Sequence, residues 1–214
     1  IKNPLTPIQL SIDRLREKYL NKMGNDSKNF SSYLNTISKQ IIDIEKLVNE
    51  FSDFARMPKP VFKKIDLDET IMRGITLHQL SEKHINFSFN IVKNKNFISG
   101  DEEQINRVFI NLIKNSIESI YEKKKKDVDF KGKISIDINE DKDYIYVNFE
   151  DNGVGFEKEN IKRMLTPYYT TKKNGTGLGL AVVSKIISDH NSVILFNSIK
   201  DGARIKITFP KHNG

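Results

Sequence analysis

Gly175-Thr176-Gly177-Leu178-Gly179-Leu180-Ala181 sets a glycine at every second position and then runs without a break into helix-forming sequence that continues to His190. Alternating glycines leave backbone N–H groups open to a bulky anion, and a helix start adds its own unpaired N–H groups and positive dipole end. The stretch is either a phosphate cradle or simply a flexible loop followed by a helix start. Its G-x-G-x-G spacing departs from the dinucleotide fingerprint, which needs G-x-x-G after the first pair and a strand before it, whereas Tyr168 to Asn174 form a polar loop. No G-x-x-x-x-G-K-[ST] occurs in the chain.

Upstream, Asp101 opens a helix expected to run to about Tyr121. On it Arg107, Asn111, Asn115 and Glu118 are spaced 4, 4 and 3 apart and share a face, while Val108, Leu112, Ile113, Ile117 and Ile120 supply the apolar side. A carboxamide oxygen is a hard neutral ligand, suited to a Mg²⁺ that keeps most of its waters and binds nucleotide phosphates. The plainer alternative is a solvated helix face. Asp151 ends a predicted strand and precedes Gly153 and Gly155, which let the backbone turn closely around a ligand. An ionised carboxylate only accepts hydrogen bonds, so it suits the exocyclic amine of adenine and repels the carbonyl oxygen of guanine. Asp-Asn-Gly is also an ordinary turn.

In order and spacing, Asn111-x-x-x-Asn115, Asp151-x-Gly153-x-Gly155, Thr170-Thr171-Lys172 and Gly175-x-Gly177-x-Gly179 resemble the N, G1, F and G2 boxes of the sensor histidine kinases. These belong to the ATP-binding superfamily shared with gyrase, Hsp90 and MutL. The resemblance covers residues 61 to 210 and implies ATP and Mg²⁺ as cofactors. It makes Asn115 the Mg²⁺ ligand, Asn111 its neighbour at the phosphates and Asp151 the adenine reader, with Gly153 and Gly155 shaping the pocket. It sets Thr171 and Lys172 in a mobile lid, Lys172 neutralising phosphate charge, and lines the triphosphate with Gly175, Gly177, Leu178 and Gly179. ATPases of the superfamily carry a water-activating glutamate in place of Asn111. A neutral amide cannot take a proton from water, so transfer to a nucleophile is expected rather than hydrolysis. Glu118 departs from the basic residue many relatives carry, which leaves Arg107, Lys114 or a lid lysine to supply positive charge. Asn191-Ser192 replaces the Gly-Gly usual after the final histidine.

At the N-terminus, Ile1, Leu5, Ile8, Ile12, Leu15 and Tyr19 follow a 4,3,4,3,4 spacing, and Phe30, Leu34, Ile37, Ile41, Ile44, Val48 and Phe51 continue the alternation beyond a turn at Met23-Gly24-Asn25-Asp26. A lone hairpin of this kind leaves part of its stripe wet. Two copies pairing into a four-helix bundle is the expectation, and packing on the rest of the same chain the alternative. Ile1-Lys2-Asn3-Pro4-Leu5 resembles the run directly after the His-Glu of the dimerisation and phosphoacceptor helix, and Pro167 to Lys172 with Asp189-His190 resembles the nitrogen-regulation, NtrY-like branch. The accepting histidine is then expected just upstream of Ile1, and this fragment is expected to bind ATP without phosphorylating itself. His78, His84, His190 and His212 read as surface or helix-end residues. Asn3 falls on the last place of the family's phosphatase motif, where its amide would position water against a regulator's phospho-aspartate. An N-cap before Pro4 is an equally natural use.

Met57-Pro58-Lys59-Pro60 breaks the second helix, because proline lacks an N–H and restricts the residue before it. The expected fold class is α+β: a dimerisation and phosphoacceptor hairpin at 1–56, a hinge linker at 57–60, and at 61–214 an α/β-sandwich ATP-binding domain of the gyrase, Hsp90 and histidine kinase type. Its expected strands are 61–65, 85–91, 133–139, 144–150, 193–198 and 204–209, with a helix from Leu67 capped by Asp66.

The 214 residues include no cysteine, which excludes disulfides and thiolate metal sites. The net charge of +7 comes from lysines spread widely, and the Lys123–Lys126 run is followed at once by Asp127 and Asp129, so a solvated loop is expected and no nucleic acid. No apolar run approaches the roughly 20 residues of a membrane span, and no signal peptide opens the chain. These features and the resemblance together imply the cytoplasmic part of a kinase anchored through upstream segments, homodimeric, with a response-regulator receiver domain as partner. The competing function is an ATP-sensing dimeric scaffold without transfer activity.

Overall fold

A computed structural model of the chain describes residues 5–91, 96–157, 160–170, 172 and 175–212. It forms two compact units, Ile1–Met57 with Thr170–Leu178, and Pro58–Tyr169 with Gly179–Gly214. In the first, α1 (Leu5–Tyr19) and α2 (Ser27–Ala55) are joined by two short 3₁₀ turns, Leu20–Lys22 and Gly24–Asp26. Ile12, Leu34 and Ile41 form their shared core, with Leu5 and Phe30 packed against it, all at the expected heptad positions. Arg16 Nη2 donates to Asn35 Oδ1 across the hairpin at 2.8 Å. The remaining stripe stays wet: Ile8, Leu15, Ile37, Ile44 and Phe51 are 42 to 46% exposed.

The second unit runs β1 (Lys63–Asp66), α3 (Leu67–Ser81), β2 (Ile85–Ile91), β3 (Phe97–Gly100), α4 (Glu102–Lys124), β4 (Gly132–Glu140), β5 (Tyr144–Asp151), α5 (Ile161–Met164), α6 (Gly179–Asp189), β6 (Val193–Ile199) and β7 (Gly202–Pro210). Its main sheet has the order β2-β4-β5-β7-β6, with β2 and β4 parallel and every other pair antiparallel. Alternation along the strands buries Ile134, Ile136 and Ile138 of β4, Ile145, Val147 and Phe149 of β5, and Ile205, Ile207 and Phe209 of β7. The apolar stripes of α3, α4 and α6 complete that core through Leu67, Ile71, Val108, Leu112, Val183 and Ile186. The period-2 strands and period-3.6 helices thus make the expected sandwich.

Both expected aspartate caps are present. Asp66 Oδ1 accepts from the N–H groups of Asp68 and Glu69 at the start of α3, and Asp101 Oδ1 accepts from Gln104 N–H at the start of α4. Acidic residues follow each cap, Asp68 and Glu69 in α3 and Glu102 and Glu103 in α4, and favour the positive helix ends. β3 was not among the expected strands; it pairs antiparallel with β1, Lys63 opposite Gly100, in a separate two-stranded sheet.

Candidate functional site

α4 carries Asn111 and Asn115 half-buried on one face. Asn111 Nδ2 donates to the Arg107 carbonyl one turn earlier at 2.8 Å, which fixes the other end of that amide as an acceptor. Opposite stands Gly179, the first residue of α6. A Cβ built on Gly179 would lie 3.3 Å from Asn111 Oδ1 and 3.9 Å from Asn115 Nδ2. Glycine therefore holds open a gap that any other side chain would fill, between a helix start rich in unsatisfied N–H groups and two neutral amides. That combination suits an anion together with the hard cation it carries.

The second focus lies along α4 toward its C-terminal end. Asp151, only 6% exposed, closes β5 between Ile134 of β4 and Ala203 of β7. Its Oδ1 accepts from Gly153 N–H at 2.9 Å and its Oδ2 from the Ser116 hydroxyl at 2.7 Å, so both oxygens are oriented before any ligand arrives. The turn that follows is pressed onto α4. Val154 N–H donates to Ser119 Oγ at 3.0 Å, and a Cβ on Gly153 would fall 2.3 Å from that oxygen and 2.7 Å from the Ser119 backbone carbon. Gly155 sits at φ 75°. Lys123 Nζ donates to Asn152 O at 2.9 Å, and the Asn152 side chain bridges Lys133 N–H and Lys131 O at the head of β4.

Of the remaining expected site residues, Asn3 and Thr171 lie outside the described residues. Lys172 N–H donates to Thr170 Oγ1 at 3.1 Å and Lys172 O accepts from Gly175 N–H at 3.2 Å, a local turn that leads to Gly177 at φ 70° and to Leu178, which is buried. The structure thus brings Asn111, Asn115 and Gly179 together, and Asp151 and Gly153 against α4, with Gly155 packed instead on Gly202. Ser116, Ser119, Lys123 and Asn152 were not anticipated. Serines on a helix look like part of its wet face, and only the distance to β5 shows otherwise. His190 does end its helix, but it is no surface residue: at 3% exposure it accepts from Asp101 N–H through Nε2 at 2.9 Å, and its Nδ1 meets Ile186 O at 2.8 Å.

Residues 100–213, over half of the chain, match the family described as histidine kinase-, DNA gyrase B-, and HSP90-like ATPase. The chain belongs to that family. Residues 1–60 match the His Kinase A (phospho-acceptor) domain, and the two domains in this order make the chain a sensor histidine kinase core of the NtrY-like kind. It is 37% identical over 212 residues to nitrogen regulation protein NtrY of Azorhizobium caulinodans, an alignment covering 97% of this chain and 27% of that protein. An NtrY-like sensor histidine kinase of Rickettsia conorii is 37% identical over 210 residues, covering 98% of this chain and 34% of that one. The kinase core therefore spans about a third of these relatives at most, 27% and 34% of their lengths. The catalytic domain of histidine kinase ThkA has the same fold, with a TM-score of 0.62 at 27% identity over 71% of this chain and 96% of that one. ATP is the nucleotide of the family. Among the described residues no helix is long and apolar enough to cross a membrane.

Proposed function

We propose that this chain is the dimerising and catalytic core of a kinase that moves the γ-phosphoryl group of ATP to a histidine, from which a response-regulator aspartate takes it. The observation that carries the reading is Asn111. Its Nδ2 is tied to Arg107 O and its Oδ1 faces the start of α6, so the position nearest that cradle holds a neutral amide where hydrolysis would need a base. Catalysis then rests on positioning: an imidazole nitrogen attacks the γ-phosphorus as the bond to the bridging oxygen breaks and ADP leaves.

In this reading Asp151 reads the adenine amine, while Asn111 and Asn115 lie along the phosphates. Gly153 and Gly155 shape the base end, and Thr171, Lys172, Gly175, Gly177 and Leu178 act with Gly179 at the triphosphate. Among the described residues no group of three His, Asp or Glu side chains could hold a metal. A divalent ion carried in with the nucleotide would find the Asn115 amide as its protein ligand, a hard neutral donor that fits a Mg²⁺ keeping phosphate and water as its other ligands. Bound there, Mg²⁺ would neutralise phosphate charge.

The wet stripe of the hairpin supports dimerisation, since pairing with a second copy would cover Ile37, Ile44 and Phe51 together. Such a core works in the cytoplasm, where ATP and the receiver domain are available. Asn3 adds phosphatase activity toward that regulator if it positions water, and is an N-cap otherwise. The test uses the chain with its native upstream residues and γ-labelled ATP. Acid-labile, base-stable label on protein is expected, whereas steady phosphate release without label would leave an ATPase, and neither label nor release an ATP-sensing scaffold.

A further inference from the structure

The segment after α2 is held more firmly than a proline-rich linker suggests. Pro58 O accepts from Gln104 Nε2 at 3.0 Å, and a carbonyl can only accept, so the orientation of that buried amide follows. Val61 N–H donates to Asp101 Oδ2 at 2.9 Å, while the other oxygen of the same carboxylate caps α4. The Phe62 ring lies 5.2 Å from the His190 ring. His190 in turn accepts from Asp101 N–H at 2.9 Å, which leaves its Nδ1 proton for Ile186 O. On the other side, Arg56 N–H still bonds Ser52 O at 3.0 Å and Met57 N–H reaches Phe54 O at 3.4 Å, both at the end of α2. Between the last bond to α2 and the first to the ATP-binding unit there remain only Met57 and Pro58, and proline fixes one of their torsions.

We propose that Asp101, Gln104 and His190 are positioning residues that latch Pro58–Phe62 onto the ATP-binding unit, so that the free joint at the end of α2 is the Met57–Pro58 step. The latch ties the strap to the N-cap of α4 and to the last turn of α6. The helices that bear Asn111, Asn115 and Gly179 therefore move as one body with the strap. The free length and stiffness of a joint set the effective concentration of one tethered unit at the other, so the latch controls how the ATP-binding unit reaches the acceptor helix.

Asp101→Asn combined with Gln104→Met tests this in the chain carrying its native upstream sequence. Asparagine keeps the α4 cap but turns the acceptor for Val61 into a donor, and methionine keeps the volume while releasing Pro58. Five residues, Met57 to Val61, are then free in place of two. The rate of phosphoryl transfer to histidine is expected to change by about 2-fold or more, with ATP affinity within about 2-fold of the parent. An unchanged transfer rate overturns the latch, and so does a shift in ATP affinity that accounts for the change. The rate measurement rests on the kinase reading. Amide relaxation of the unmodified chain does not, and it remains decisive should the double variant fail to fold. Order parameters near 0.85 at Lys59, Val61 and Phe62 are expected, and values below about 0.6 there would overturn the proposal independently of any transfer.

Discussion

Gly179→Ala separates helix stability from nucleotide binding, because the two should move in opposite directions. Alanine is the better helix former by about 0.8–1 kcal/mol in a helix interior and by less in the first turn. For a chain of this size that is worth at most about 2–4 °C in melting temperature. The added methyl would stand 3.3 Å from Asn111 Oδ1 and 3.9 Å from Asn115 Nδ2, tight but without a backbone clash, so the fold has no reason to fail. What it occupies is the space through which, in the proposed reading, the first N–H groups of α6 would face the phosphates. Losing one charge-assisted hydrogen bond costs about 1.5–3 kcal/mol, or a roughly 10- to 150-fold weaker Kd for Mg²⁺-ATP. Titration calorimetry with a non-hydrolysable ATP analogue gives the affinity, and a thermal melt of the same sample gives the stability. An unchanged or raised melting temperature with ATP bound as tightly as before would refute the cradle, because the gap would then hold nothing.

Asp151→Asn should weaken ATP binding by about 10- to 100-fold, since the amide offers a donor where the amine of adenine donates; calorimetry that finds no preference for adenine over guanine nucleotides in the parent protein would undo that assignment. Asn115→Ala should leave nucleotide affinity in EDTA unchanged while abolishing most of the gain on adding Mg²⁺, measured as paired titrations. Ile37→Glu, at a position 46% exposed, should make the hairpin monomeric in sedimentation velocity with little change in the melting temperature of the ATP-binding unit. Burial, with Lys114 nearby, holds the His78 imidazole below its ordinary value of 6.5 despite the opposing pull of Glu82. The unfolded chain therefore binds the extra proton first as pH falls. Stability from this group is complete above 6.5 and is lost as pH drops toward the lowered folded value, and His78→Asn should flatten the melting temperature across that window.

The hairpin and the sandwich were legible in the sequence because their signals are repeated. Ile12, Leu34 and Ile41 belong to long heptad series, and the strands of the main sheet alternate over seven or more residues. Asp66 and Asp101 were legible because a cap is a local chemical act. β3 was not, for the opposite reason: Phe97-Ile98-Ser99-Gly100 is too short to show a period, and what makes it a strand is β1, more than thirty residues earlier. The site divides in the same way. Asn111, Asn115, Asp151 and Gly179 are chemistry-bearing types at motif spacing. Ser116 and Ser119 act only because β5 returns beside α4, and His190 is silent in the sequence because its partners, Asp101 and Ile186, are backbone groups.

One helix supports both ends of the site. From Asn111 to Ser119 is eight residues of α4, about 12 Å at 1.5 Å per residue, and the residues between are locked into the core by Leu112, Ile113 and Ile117. α4 is in that sense a ruler, and its graduations are angular as well as linear. Inserting or deleting one residue between these positions would swing everything beyond it by about 100° and carry Ser119 away from the turn that follows β5. Change of sequence length should accordingly be forbidden within α4, whatever side chains are exchanged along the way.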